Sequence, residues 1–228
     1  MHAPVRAYIA FVGYLVVLPA MLFVLGGTLD WPMAWVYVIL LVSSTVGSRL
    51  VVWRQNPDTL RERAQFTAAE GTRAWDRTLV MIVGFYGPLA TVIVAGLDQR
   101  WGWSVLIPEA GQYLAASAMA AGFGLGVWAM VTNRFFSAVA RIQEDRGQQV
   151  VTSGPYRFVR HPSYAGVIVA ALALPLMLDA VWALIPALSV AVALVVRTAL
   201  EDRMLTTELD GYQEYAQQTR YRLIPGLW

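Results

Sequence analysis

The sequence predicts an all-α membrane protein whose chain crosses a bilayer several times, and three observations predict it. Hydrophobic residues fill 57% of the 228 positions and charged residues 14%, with a mean hydropathy of +0.52, more apolar surface than one soluble domain can hide. The apolar residues gather into runs of roughly twenty, the length a helix needs to cross about 30 Å of hydrocarbon. The 17 basic residues, all arginine, fall almost wholly between alternate runs, as the positive-inside rule expects of cytoplasmic loops.

Taken in order, four runs are long enough to span: about Tyr8 to Gly27, Met33 to Val52, Thr78 to Leu97 and Gly111 to Thr132. No small-residue cleavage site follows the first, so it reads as a retained span and not a signal peptide. A fifth run, Pro162 to Leu178, is short for a straight crossing; Asp179 separates it from a sixth, Ala180 to Leu200. These last two read as a tight helical hairpin. The expected architecture is therefore five to six membrane segments, with residues 1–132 forming the N-terminal helices around a loop at 54–77. Residues 133–228 form a second part of the same structural unit.

An even number of crossings places Arg6, Arg49 to Arg77, Arg134 to Arg160, Arg197, Arg203, Arg220 and Arg222 on one side, and Arg100 alone on the other. Both termini are then cytoplasmic. Trp31, Trp35, Trp53, Trp101 and Trp103 fall near span ends, where indole rings favour the headgroup layer. The segments 54–77 and 133–161 are too long for simple turns, and such loops are usually functional or disordered. Glu201 to Trp228 alternates apolar and charged positions at helical spacing, which predicts a cytoplasmic amphipathic helix.

Several function classes are excluded early. Without cysteine there is no disulfide or thiolate chemistry, and with His2 and His161 as the two histidines a zinc site is not expected. A net charge of +2 gives no reason to invoke nucleic acid. Gly122-Phe-Gly-Leu-Gly126 looks like part of a dinucleotide fingerprint, yet it lies inside an apolar span with no strand before it; Gly122 and Gly126 instead make a small-residue face for close helix packing.

The most informative stretch is TSGPYRFVRHPSYAG, Thr152 to Gly166. Pro162 suits the first position of a helix, and the amides and dipole at that helix start favour an anion, with Arg160 and His161 beside it. Arg157 and Arg160 could equally just mark the interface. RTALED follows at the end of the sixth run, where Arg197 and Glu201, four apart, share a helix face and can pair with each other or with one ligand; an interfacial charge pair ending a helix is the plainer reading. In the tail, Tyr212 and Tyr215 share a face with Leu205 and Leu209, which reads as packing, although aromatics and Arg220 and Arg222 can also close a pocket around a cation or a flat base.

Together TSGPYRFVRHPSYAG, RTALED and the Tyr-rich tail resemble the isoprenylcysteine carboxyl methyltransferase family and related phospholipid methyltransferases, over roughly Asn133 to Trp228. NPDTLRERA and WDR resemble a bacterial branch, which implies an inner-membrane protein. The resemblance implies S-adenosylmethionine as cofactor and a lipophilic small molecule or lipid as acceptor. It implies cofactor-binding roles for Arg160, His161, Pro162, Tyr164, Gly166, Glu201 and Asp202, to which Tyr212 and Tyr215 are added as the tail aromatics able to close such a pocket. Arg197 and Glu201 become candidate catalytic residues. The second acid is Asp202 where the family commonly has Glu, and a family His before the LVTSG-like segment is Gln148 here. RHPSY is also similar to a run in membrane sterol-type reductases that use NADPH, which leaves such a reductase, or a non-enzymatic lipid-binding protein, as the alternatives.

Overall fold

The computed structural model describes residues 3–64, 70–104 and 106–228. His2, residues 65–69 of the 54–77 loop and Val105 lie outside the described residues. The described chain forms α1 (Ala3–Gly26), α2 (Pro32–Gln55), the short α3 (Pro57–Ala64), α4 (Ala74–Met81), α5 (Gly87–Trp101), α6 (Glu109–Thr132), α7 (Pro162–Met177), α8 (Leu184–Glu208) and α9 (Tyr212–Gln218). A π-helical turn, Ile82–Tyr86, joins α4 to α5 without a break.

Among the described residues, four helical stretches are long and apolar enough to cross a membrane: Pro32–Gln55, Ala74–Trp101, Glu109–Thr132 and Val181–Glu208. The Val12–Gly26 part of the 24-residue α1 is apolar as well, and α7 is apolar but shorter. At 1.5 Å per residue the 16 residues of α7 reach only ~24 Å. The short hairpin expected from the sequence is present: α7 turns at Asp179, which sits at φ 56, and Asp179 Oδ1 accepts the Ile107 amide at 2.5 Å.

The helices pack small faces inward and turn large aliphatics outward. Ala34, Ala95, Ala115, Ala170, Ala173 and Ala187 are buried, whereas Val24, Ile39, Leu114, Ile185 and Val192 are more than half exposed. Exposed apolar surface on that scale is not tolerated in water, and small residues at the contacts are how helices approach when lipid covers the outside. The protein is an integral membrane protein of the α-helical class. Gly122 and Gly166 mark the closest approach, between α6 and α7: a Cβ on Gly122 would lie 2.4 Å from the Gly166 carbonyl oxygen, and one on Gly166 would lie 2.4 Å from that of Gly122. The small-residue face at Gly122 thus has its partner in Gly166.

Contacts sort the helix ends into two groups. Gly26 and Gly27 meet Gln99 and Arg100, and Val181 donates to Ser104 Oγ, which gathers one set of ends. At the other, Thr59 donates to the Arg134 carbonyl, Arg73 pairs with Glu208, and Arg160 reaches Asp202.

Three expectations need correction. The last membrane helix does not stop at Leu200 but runs on to Glu208, because Leu205 and Leu209 continue its apolar face onto Tyr212 and Tyr215. The tail is therefore not one amphipathic helix. Gly211 at φ 79 turns the chain, α9 follows, and after Thr219 the chain closes on itself, with the Leu223 and Ile224 amides donating to the Trp228 carbonyl. Trp31 is buried, at 7% exposure, with its ring against Gly26; it packs in the bundle and is not a headgroup anchor.

Candidate functional site

The Arg-rich end of the bundle holds an open cleft that encloses about 100 Å³, less than a closed small-molecule pocket. Its walls come from the 133–151 segment, from Tyr156 and the start of α7, and from α8 and α9, and they include Phe135, His161, Tyr164, Glu201, Tyr212 and Tyr215.

Asp202 is the hub behind one wall. It is 3% exposed and receives Arg160 in fork geometry, Nε to Oδ1 at 2.7 Å and Nη2 to Oδ2 at 2.8 Å. Tyr212 donates its hydroxyl to Oδ1 at 2.9 Å and Arg222 its Nε to Oδ2 at 2.8 Å. His161 Nε2 lies 3.3 Å from Oδ1. Arg160 Nη1 donates to the carbonyls of Thr219 and Arg220, so the one guanidinium ties α7, α8 and the tail together. Burial disfavours the charge on Arg160, but the Asp202 hydrogen bonds and charge outweigh it and raise its pKa. Burial likewise pushes the Tyr212 hydroxyl up, with the Asp202 charge acting the same way, and raises Tyr215 to about 12.

This geometry changes the expected anion site at the start of α7. The Arg160 and His161 amides donate to the carbonyls of Tyr221 and Arg222, and the anion beside that helix start is the chain's own Asp202. Arg222, read from the sequence as a possible headgroup contact, is an Asp202 ligand whose guanidinium lies 5.0 Å from the Trp228 ring centre.

The other wall is built on Tyr164. Its ring stacks on His161 with centroids 5.6 Å apart, the Arg197 guanidinium lies 5.1 Å from its centre, and its hydroxyl donates to Glu201 Oε2 at 2.5 Å. Arg197 and Glu201 do not pair with each other. Arg197 turns instead to Asp76, Nε to Oδ1 at 2.6 Å and Nη2 to Oδ2 at 3.1 Å, and also donates to the Ala138 carbonyl. Asp76 is fully buried and accepts the Ala140 amide at 2.6 Å as well. It thereby fixes Arg197 and the 133–143 segment at once.

Of the residues singled out in the sequence, His161, Tyr164, Glu201, Tyr212, Tyr215 and Arg160 line the cleft. Asp202 and Arg197 stand behind it. Pro162 is buried at the first turn of α7, and Gly166 faces α6 and not the cleft. Gln148, at the position of the family's histidine, lines the cleft and accepts the Gln143 amide at 2.7 Å. Missed altogether were Asp76, in the WDR run, and Glu62, in NPDTLRERA, which takes Arg141 in a two-point pair. The acids inside these two conspicuous loop motifs, Asp76 alone in WDR and Glu62 beside Asp58 in NPDTLRERA, were the available signal.

The Glu62–Arg141 pair holds the cleft's loop wall to α3. The Arg141 hydrogen bonds keep the Glu62 carboxyl below the usual carboxylate range despite its burial. A depressed carboxylate contributes stability above its unfolded pKa and loses it as pH falls through the folded one. The difference in melting temperature between the native chain and Glu62→Gln should therefore stay constant from pH 8 down to about pH 4.5 and narrow only below that. A difference that closes between pH 7 and pH 5 would contradict the pairing.

Fold and charge layout define a polytopic helical membrane protein with an open polar and aromatic cleft at one end. Residues 114–207 match the model of the isoprenylcysteine carboxyl methyltransferase (ICMT) family. The matched stretch is less than half the chain; it runs from α6 nearly to the end of α8 and contains Arg160, His161, Tyr164, Arg197, Glu201 and Asp202, but not Asp76 or α9. Among curated proteins, none matches the chain.

Proposed function

We propose that this protein is an integral membrane methyltransferase that uses S-adenosylmethionine and acts on a lipophilic acceptor. The observation that carries the reading is the charge balance of the cleft. Arg141 and Arg160, which line it, are matched to Glu62, Asp145 and Asp202, whereas Glu201 has a tyrosine hydrogen-bond partner and, among the described residues, no ion pair, the Arg197 charge acting on it from behind Tyr164. The cleft therefore offers a carboxylate and several aromatic rings. That combination suits a ligand with a positive sulfur and a flat base. It does not suit the several phosphates of NADPH, which need unpaired arginines.

S-adenosylmethionine would supply a methyl group activated by its positively charged sulfur. The residues that would hold it are Glu201, through the Oε1 that accepts no hydrogen bond from the described residues, and the rings of Tyr164, His161, Tyr212 and Tyr215. Arg160 and Asp202 fix the tail that carries Tyr212 and Tyr215. Pro162 sets the first turn of α7, and Gly166 lets that helix seat against α6. Arg197 braces Tyr164 from behind and, with its unbonded Nη1, is the group available to an acceptor. Alignment of donor and acceptor and exclusion of water are what such a site must provide. A carboxylate acceptor needs no base; for an amine, Glu201 is the acid-base group in place.

Calorimetry in detergent should give saturable binding of S-adenosylhomocysteine and none of NADPH. Saturable NADPH binding with no response to S-adenosylhomocysteine would favour the reductase. The arginine asymmetry supports cytoplasmic termini, in a bacterial inner membrane on the resemblance of the loop motifs. A reporter fused after Trp228 should then behave as cytoplasmic and one inserted between Asp98 and Glu109 as external; the same response from both would refute the even number of crossings.

A further inference from the structure

Arg197 has two carboxylates to choose from. One is Asp76, on α4 and 121 residues away in sequence. The other is Glu201, one turn along α8, at the spacing where a guanidinium and a carboxylate meet on one helix face. Arg197 and Glu201 already flank the same ring: the Arg197 guanidinium lies 5.1 Å from the centre of Tyr164, whose hydroxyl donates to Glu201 Oε2 at 2.5 Å. Among the described carboxylates Arg197 nevertheless bonds Asp76 alone.

The choice follows from how firmly Asp76 is held. Its Oδ2 accepts the Ala140 amide at 2.6 Å, and the Ala140 carbonyl accepts the Arg73 amide at 3.1 Å. The start of α4 and the segment that walls the cleft thus clasp each other around this acid. Asp76 is fully buried and Arg197 is 6% exposed, and a buried two-point pair between them outcompetes a partly exposed acid on the same helix. The consequence lies at Glu201. An Arg197 paired along α8 would match the charge of the acid that lines the cleft; held by Asp76, it leaves that acid to a ligand.

We propose that Asp76 is a positioning residue: by holding Arg197 off Glu201, it keeps the Glu201 carboxylate free of an ion pair and available to a cationic ligand in the cleft. The inference rests on the methyl-transfer reading in one respect, that this ligand is the positively charged sulfur of S-adenosylmethionine. Asp76 lies outside the residues 114–207 that match the family model, so the WDR motif of the N-terminal helices contributes to the cleft's charge layout.

The test uses the full chain in neutral detergent and Asp76→Asn, which keeps an oxygen for the Ala140 amide and loses the charge that holds Arg197. A buried guanidinium without a counter-charge is costly, and Glu201 is the carboxylate one turn away, so Arg197 should turn to it. Affinity for S-adenosylmethionine should then fall about ten- to a hundredfold, the worth of a charged hydrogen bond. Adding Arg197→Gln to Asp76→Asn should restore most of that affinity, because Glu201 is again without an ion pair. Asp76→Glu, which keeps the charge, should stay closer to the native chain. A merely structural pair predicts the reverse, that the second substitution leaves binding as low or lowers it further.

A second readout needs no ligand. Glu201→Gln should barely move the melting temperature of the native chain and should lower that of Asp76→Asn, in which Glu201 has become the partner of Arg197. Three results would each overturn the proposal: a double variant that binds no better than Asp76→Asn, a Glu201→Gln substitution that costs the same in both backgrounds, or an Asp76→Asn chain that does not fold, since Arg197 then finds no second partner. Background-dependent melting in a protein that binds neither S-adenosylmethionine nor S-adenosylhomocysteine would leave the role of Asp76 standing and the methyl-donor reading refuted.

Discussion

Asp202→Ala should cost about 3 to 5 kcal/mol of stability, the usual penalty for removing one partner of a buried ion pair, and should release the tail from the bundle. The cost arises because Arg160 remains in place, 8% exposed, without its counter-charge, and Arg222 and Tyr212 lose their shared acceptor. Asp202→Asn should fall between, since a single carbonyl oxygen can accept from one donor while its amide group opposes the other. Unfolding titrations in mixed micelles would give the size of the loss, and limited proteolysis after Thr219 would report the tail. Native stability in the Ala variant would mean that the Asp202 hub is not what joins α7, α8 and the tail.

The sequence makes Asp202 look like the weaker of two adjacent acids, a shortened version of a family glutamate. The structure gives the short side chain a reason: Arg160 and Arg222 reach in to it from α7's approach and from the tail, so the acid itself need not extend. What was legible in the chain was whatever is local. The apolar runs gave the long helices, Asp179 marked the hairpin turn, and the small residue at Gly122 marked the closest helix contact. What was not legible was pairing across the chain. Arg197 and Glu201 look like an i,i+4 pair, and helical spacing permits it, but the true partner of Arg197 is 121 residues away. A fully buried Asp76 accepting two guanidinium hydrogen bonds and a backbone amide gains more than an exposed partner on the same helix could offer. Local periodicity carries no trace of that competition. The tail misled for a related reason: its spacing is helical on both sides of Gly211, and only the left-handed turn there breaks one long helix into the end of α8 and a separate α9.

Glu201→Ala should have the opposite signature to its neighbour, a large loss of S-adenosylhomocysteine affinity with little change in the stability of the ligand-free protein. Glu201 is partly exposed to the cleft. It forms no ion pair with a described residue; its removal frees the Tyr164 hydroxyl, which can turn to water in an open cleft, and takes a nearby negative charge from Arg197, which keeps Asp76. Losing a charged hydrogen bond to a bound ligand costs about 1.5 to 3 kcal/mol, or roughly ten- to a hundredfold in affinity. Glu201→Gln keeps the size and an acceptor oxygen but not the charge. If the carboxylate serves mainly to balance a positive sulfur, Gln should weaken S-adenosylmethionine about as much as Ala does while sparing the neutral-sulfur S-adenosylhomocysteine; if it serves through hydrogen bonds, the two ligands should weaken together. Tyr164→Phe removes the hydroxyl that orients Glu201 Oε2 and should reproduce a fraction of the loss, because the ring stacked on His161 and covered by Arg197 stays. Affinity and melting temperature read on the same samples decide the matter. A Glu201→Ala protein that melts low and binds normally would make this residue part of the scaffold, and the cleft would then lack the ligand-facing carboxylate on which its reading as a methyl-donor site depends.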